Sequence, residues 1–125
     1  DLRNMQGGLE AMILAWSHAE KHFPGSKTNW LDYCRRSADW MVSRQHADGS
    51  WDKAFDNGGT SIDSGKLLTS NLIRFLTYMY IVTKEECYKT AAVKAGEFCY
   101  REIHEPYKYV GSVIDNPYVK DQQRF

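Results

Sequence analysis

The stretch Gln45-His46-Ala47-Asp48-Gly49-Ser50-Trp51, a Q-x-x-D-G-x-W pattern, indicates a tight turn at the end of a helix. Asp-Gly is a strong turn signal, because aspartate hydrogen-bonds its own backbone and glycine accepts a positive φ. Apolar side chains recur at helical spacing just before this turn, at Leu31, Cys34, Ala38 and Met41. The sequence therefore predicts a helix that ends in this turn and is followed by a long loop.

The region around this turn has a partial repeat further along the chain. Ala38-Asp39-Trp40 and His46 are matched 58 residues later by Gly96-Glu97-Phe98 and His104. A repeat of this length is typical of stacked helical hairpins. The predicted fold class is therefore all-α, with two αα-hairpins built from four helices at 8–23, 30–46, 67–83 and 87–104.

Local signals predict how these helices begin and which faces they bury. We expect Gly7-Gly8 to introduce the first helix, Asn29 to cap the second and Asp63 to cap the third. Residues 67–82 are apolar on nearly every face, which predicts a helix that is buried all round.

The connections between the predicted helices alternate between short and long. Since successive helices of a hairpin run antiparallel, both long loops should emerge at one end of the stack. The segments 48–63 and 107–121 are therefore predicted to be neighbours in space. Function is usually carried by loops on a rigid scaffold, so this end is the candidate functional end.

Composition excludes several classes of function. Lysine plus arginine and aspartate plus glutamate number 16 each, so the chain has no basic field for a nucleic acid. No apolar run approaches the ~20 residues of a membrane span. The cysteines Cys34, Cys87 and Cys99 lack metal-ligand spacing, so we expect buried free thiols and no metal or cofactor, with a Cys34–Cys87 bridge as the alternative.

The Q-x-x-D-G-x-W turn on a repeated helical hairpin resembles the α/α toroid proteins, in particular bacterial six-hairpin carbohydrate-active enzymes of glycoside hydrolase-like and polysaccharide lyase-like types. The segment Tyr109 to Pro117 is also similar to loops of that family. The resemblance covers most of the chain and implies that residues 1–125 are a single domain or a fragment of a larger toroid. It also implies a bacterial, periplasmic or secreted hydrolase.

The resemblance further implies a sugar-binding cleft at the loop end, with paired carboxylates that act on a poly- or oligosaccharide. The implied catalytic residues are Asp115, Asp56 and Asp52. Aromatic faces stack on sugar rings, and the implied substrate-binding residues are Trp51, Phe55, Tyr107, Tyr109, Asn116 and Tyr118. Two residues of the turn also have structural explanations. Asp48 is expected to form an Asx-turn, and Trp51 is expected to pair with Gln45 as a brace that ties the loop to its helix.

Two other functions remain open from the sequence alone. One is a non-catalytic helical-repeat module that binds glycan or protein through the same loops. The other is a fragment of a QW-repeat cyclase, whose structural repeat shares the glutamine, glycine and tryptophan of the turn. In each case the open apolar faces of two hairpins are expected to pack against further hairpins of a parent chain or to self-associate.

Overall fold

The computed structural model describes residues 1–107. Its helices are α1 (Leu2–His22), α2 (Thr28–Arg44), α3 (Ile73–Thr83) and α4 (Glu86–Cys99). A 3₁₀ turn at Thr69–Leu72 leads into α3, and a π-helical turn at Tyr100–His104 extends α4. Two short antiparallel strands, β1 (Ala54–Phe55) and β2 (Ser61–Asp63), lie in the long loop between α2 and α3. The predicted all-α fold with four helices is confirmed.

The two hairpins stack with α2 and α4 side by side and parallel. Their contacts occur in the same order along both helices: Arg35 to Glu85, the Tyr88 hydroxyl to Asp39 at 2.6 Å, and the Gln45 amide to the Ala91 carbonyl at 2.9 Å. On the other side of the stack, Arg74 at the start of α3 pairs with Glu10 of α1 at 2.9 Å. The second hairpin therefore continues the first as a translated copy, as expected for stacked repeats.

The loop after α2 defines one end of the stack. The backbone N–H of Leu2 donates to the Lys53 carbonyl at 3.0 Å, and Arg101 donates to the Asp48 carbonyl at 3.4 Å. The start of α1 and the end of α4 therefore both lie beside this loop, as the alternating connections predict. The second predicted loop, 107–121, lies almost entirely outside the described residues.

The core is one apolar cluster between the four helices. Completely buried side chains come from all four helices and from the long loop: Leu2, Cys34, Ala38, Trp51, Leu72, Phe75, Leu76, Met79, Tyr88 and Ala95. Three alanines of α4 allow that helix to approach its neighbours closely, since small side chains reduce the distance between helix axes.

The helix starts differ from the predictions. The helix α1 begins at Leu2 and is capped by Asp1, whose carboxylate accepts from the Asn4 N–H at 3.0 Å. Gly7 therefore lies inside the helix. The burial of Leu2 outweighs the poor helix propensity of Gly7. Asn29 lies within the first turn of α2, and the capping position is Lys27 without a side-chain hydrogen bond.

Two further predictions about α3 are wrong. Asp63 does not cap it: Asp63 ends β2 and accepts from the Gly65 N–H at 2.9 Å within the loop. The helix is also not buried all round, since Ile81 remains 53% exposed. Only one face, formed by Phe75, Leu76 and Met79, enters the core, because α1 and α4 both lie on that side.

The three cysteines are free thiols, as predicted, but they differ in burial. Cys34 is buried in α2, and burial raises the pKa of its thiol to about 11. Cys87 lies exposed in the first turn of α4 and Cys99 is half-buried, so the prediction that all three are buried holds only for Cys34.

Candidate functional site

The Q-x-x-D-G-x-W turn connects the two hairpins as well as closing α2. The Gln45 side-chain amide donates to the Gly49 carbonyl at 3.0 Å and to the Ala91 carbonyl of α4 at 2.9 Å. Asp48 accepts from the N–H of Ser50 at 3.0 Å and from its hydroxyl at 2.6 Å, so the predicted Asx-turn is confirmed. The turn is thus fixed to its own helix and to the neighbouring one.

Trp51 ties the loop to α2 as predicted, but its hydrogen-bond partner there is Met41 and not Gln45. Its indole is fully buried, and its Nε1–H donates to the Met41 carbonyl at 2.7 Å. Its backbone N–H donates to the Thr69 hydroxyl at 3.0 Å, across the long loop. The expectation that Trp51 stacks on a sugar is corrected, because neither face of the ring is accessible.

Asp52 is the centre of a polar cluster at the loop end. Its carboxylate accepts from the Lys66 ammonium and lies 2.8 Å from Nε2 of His46. The Lys66 ammonium also lies 2.9 Å from that nitrogen. The Asp52 side chain is 13% exposed, whereas those of His46 and Lys66 are 45% and 32% exposed. A carboxylate that is nearly enclosed therefore has two partners that open to solvent.

This cluster keeps Asp52 ionised. The hydrogen bond from Lys66 lowers the pKa of Asp52 most, and a hydrogen bond from Ser61 lowers it further. The desolvation of the carboxylate acts in the opposite direction but is smaller. At neutral pH Asp52 is therefore ionised and can stabilise positive charge, but with its pKa lowered in this way it is a weak base and cannot serve as a general acid.

Asp56, the second implied catalytic residue within the described chain, organises a turn. Its Oδ1 atom accepts from the N–H groups of Gly58 and Thr60, each at 2.9 Å. Gly59 in the same turn has a φ of +84°, a conformation that favours glycine. Asp56 is exposed, and its second carboxylate oxygen has no partner among these turn contacts.

Phe55 lies between this turn and a groove along α2. Its ring meets the Trp40 indole edge-on, with centroids 5.0 Å apart and planes at 79°. The groove next to Trp40 has a volume of about 290 Å³. It is lined by Met5 and Leu9 of α1 and by Tyr33, Arg36, Ser37 and Trp40 of α2.

The remaining implied site residues are only partly described. Tyr107 has a φ of +60° at the end of the described chain and is 55% exposed. The residues Tyr109, Asp115, Asn116 and Tyr118 lie outside the described residues. Asp52, Phe55 and Asp56 therefore lie in one loop but make separate contacts, Asp52 in the polar cluster, Phe55 with Trp40 and Asp56 within its turn. Asp115 stays a prediction.

One group in residues 1–107 has metal-ligand geometry. The ligand atoms of Asp39, Glu85 and Cys87 all lie within 4.8 Å of one another. Each carboxylate already has a partner, since Asp39 accepts from the Tyr88 hydroxyl and Glu85 pairs with Arg35. The positive charge of the Arg35 guanidinium beside the group would repel a metal cation. This group is therefore a polar contact between the two hairpins.

Sequence reasoning did not identify His46 and Lys66 as partners of Asp52, or the groove on α2. Lys66 is 14 residues from Asp52, a separation that carries no periodic signal. The groove has a detectable signal, because Tyr33, Arg36, Trp40 and Arg44 recur at spacings of three and four along α2. Comparison of the chain with protein-family models, with curated proteins and with solved structures finds no match.

Proposed function

We propose that this chain forms part of a carbohydrate-active α/α toroid of glycoside hydrolase-like type, which takes a poly- or oligosaccharide at its loop end. The proposal rests on the resemblance of the turn and hairpin repeat to that family. It is supported by the stacking of the two hairpins, with the long loop at one end of the stack.

The observation that carries the proposal is the environment of Asp52. Glycoside hydrolysis needs one carboxylate that stays ionised and one carboxyl that is protonated. Asp52 meets the first requirement, because Lys66 and Ser61 hold its pKa below the ordinary range. The exposed ring of His46 gives a solvent-facing group beside it. Asp115 is the proposed partner carboxyl.

Reducing-sugar release from a panel of neutral and acidic polysaccharides tests this proposal. We expect Asp52→Asn and Asp115→Asn each to lower turnover by ~100-fold or more, the range for loss of an acid or base with its shape retained. Asp32→Asn, an exposed substitution on α2, is the matched control. In a parent chain with all its hairpins, full turnover in both test variants would remove the two aspartates from the active site, and no turnover on any polysaccharide would contradict an enzymatic role.

A non-catalytic glycan-binding module is the second candidate. This candidate is favoured because both described carboxylates already accept intramolecular hydrogen bonds, Asp52 in the polar cluster and Asp56 in its turn. This candidate predicts that the protein binds oligosaccharides but releases no reducing sugar. Binding measured by calorimetry on the same panel, next to the turnover assay, separates the two functions.

A further inference from the structure

The groove between α1 and α2 combines aromatic rings with guanidinium groups. Arg36 lies over the Tyr33 ring with its Cζ 5.8 Å from the centroid, and Arg44 lies over the Trp40 ring at 5.4 Å. The rings lie seven residues apart, which places both on one face of α2, about two helical turns from each other. Tyr33 is 49% exposed, so part of its ring is open to solvent.

The two arginines have no ion-pair partner in this part of the protein. Among residues 1–107, neither Arg36 nor Arg44 forms an ion pair with a carboxylate. Arg35, by contrast, faces the neighbouring hairpin and pairs with Glu85. The two guanidinium groups are therefore not held by a carboxylate of these residues and can bind an anionic ligand.

The groove is continuous with the loop end. The Trp40 indole contacts Phe55 of β1, and a Cβ added to Gly59 would lie 3.2 Å from Nη2 of Arg44. The turn organised by Asp56 therefore lies directly beside the guanidinium of Arg44. A ligand in the groove would reach this turn without crossing the core.

We propose that the groove lined by Tyr33, Arg36 and Trp40, together with Arg44 beside Trp40, binds an acidic oligosaccharide, with uronate carboxylates on the two arginines and sugar rings on the two aromatic side chains. Guanidinium groups bind carboxylates in a bidentate geometry, and aromatic faces bind the apolar faces of sugars. The volume of about 290 Å³ suits a short stretch of sugar units. The inference rests on the proposed function and specifies its substrate class.

A pair of ligands that differ only in charge tests the inference. The probes are a trimer of galacturonic acid and its methyl ester, which keeps the sugar rings but removes the negative charges. We expect the protein to bind the acid at least about tenfold more tightly than the ester, and added NaCl to weaken binding of the acid alone. Isothermal titration calorimetry gives both affinities.

Matched variants identify the residues responsible. Arg36→Gln and Arg44→Gln should each weaken binding of the acid about tenfold or more and leave binding of the ester unchanged. Tyr33→Ala should weaken the binding of both the acid and the ester. Lys21→Gln, which removes an exposed positive charge at the other end of α1, is the control and should change neither affinity. Unchanged melting temperatures show that each variant is folded.

The outcomes distinguish this inference from the proposed function. Equal affinities for acid and ester, or wild-type affinities in both arginine variants, would overturn the inference while binding of a sugar still supports the proposed function. Loss of all binding to acidic and neutral sugars, together with no turnover, would overturn both. Arginine variants that change only the association state would show that the groove is covered by protein.

Discussion

Trp51 and Asp52 are adjacent in the sequence and fix the long loop by opposite means. Trp51 buries its indole in the core and donates to the Met41 carbonyl, so it connects the loop to α2. Asp52 accepts from Lys66, which lies beyond the strands, so it joins the two ends of the same loop. The apolar contact and the ion pair together hold the loop end in one arrangement.

The stability contributed by Trp51 can be measured directly. We expect Trp51→Ala to lower the free energy of unfolding by ~3 kcal/mol or more, because it removes a large buried ring and leaves a cavity. Trp51→Phe should cost less, since it retains an aromatic ring but leaves the Met41 carbonyl without its donor. Urea denaturation of both variants gives the two values. A change of less than ~1 kcal/mol in Trp51→Ala would contradict the role of this residue as a brace.

Asp52 should also make stability depend on pH. Its pKa is lower in the folded protein than the ordinary aspartate value of ~3.9. Such a group contributes stability above its unfolded pKa, and this contribution is lost as the pH falls through the folded pKa. We expect the free energy of unfolding to fall from about pH 5 downward, and to fall less steeply in Asp52→Asn.

Urea unfolding between pH 7 and pH 3 checks this dependence. The free energy of unfolding of Asp52→Asn should still fall somewhat with falling pH, because the hydrogen bond from the Ser50 hydroxyl also lowers the pKa of Asp48. Asp32→Asn serves as the control and should follow the wild-type curve. Parallel curves for the wild type and Asp52→Asn would show that the ion pair with Lys66 does not stabilise the fold.

Among the secondary-structure elements, the turn at residues 46–50 and helix α4 are in unusually close contact. Gly49 has a φ of +95°, and a Cβ added there would lie 2.2 Å from the Lys94 carbonyl oxygen. Glycine is therefore required at this position of the Q-x-x-D-G-x-W pattern for two reasons. Its backbone conformation favours glycine, and the neighbouring helix leaves no space for a side chain. The two hairpins can stack at this distance only because the position lacks a side chain.

Two glycine substitutions should have opposite effects. Gly49→Ala should destabilise the protein by about 3 kcal/mol, since the turn must adopt a strained φ and also move away from α4. Gly7→Ala should stabilise it by about 0.5–1 kcal/mol, because Gly7 lies inside α1 and an added Cβ meets nothing within 4 Å. Thermal and urea unfolding of both variants tests the prediction. Equal effects would contradict this account of the turn.

The sequence predicts the helices and the turn because their signals are local. Helical periodicity identifies four helices, and the Asp-Gly pair identifies the turn at Asp48. Contacts between distant residues are not predictable in this way: nothing near Lys66 marks it as a partner of Asp52. The exposed face of α3 was missed for a related reason, since an apolar sequence does not reveal how many neighbours surround it.

In the molecule as a whole, α4 has a face that the described residues leave open. Val93 and Tyr100 lie on this face and are 51% and 58% exposed. They border a surface groove together with Gly96, Glu97 and Arg101. None of the described helices is long and apolar enough to cross a membrane. We propose that this face packs against another hairpin, either of a parent chain or of a second copy.

The association of the isolated 125-residue chain tests this proposal. Sedimentation velocity should show a concentration-dependent shift toward larger species, and Val93→Lys with Tyr100→Lys should return the chain to a monomer. Ile62→Lys is the control, because Ile62 is 66% exposed but lies in β2 at the loop end. A monomer at every concentration, with an unchanged sedimentation profile in the double variant, would contradict association through α4.

The parallel register of α2 and α4 has a consequence for the order of folding. The contacts that join these helices span 50, 49 and 46 residues of chain, whereas α3 and α4 are connected by Lys84 and Glu85 alone. Closing a long loop costs more entropy than closing a short one, so local contacts form first. Each hairpin should therefore form early and dock late, and Gln45→Ala should accelerate unfolding while leaving the refolding rate nearly unchanged.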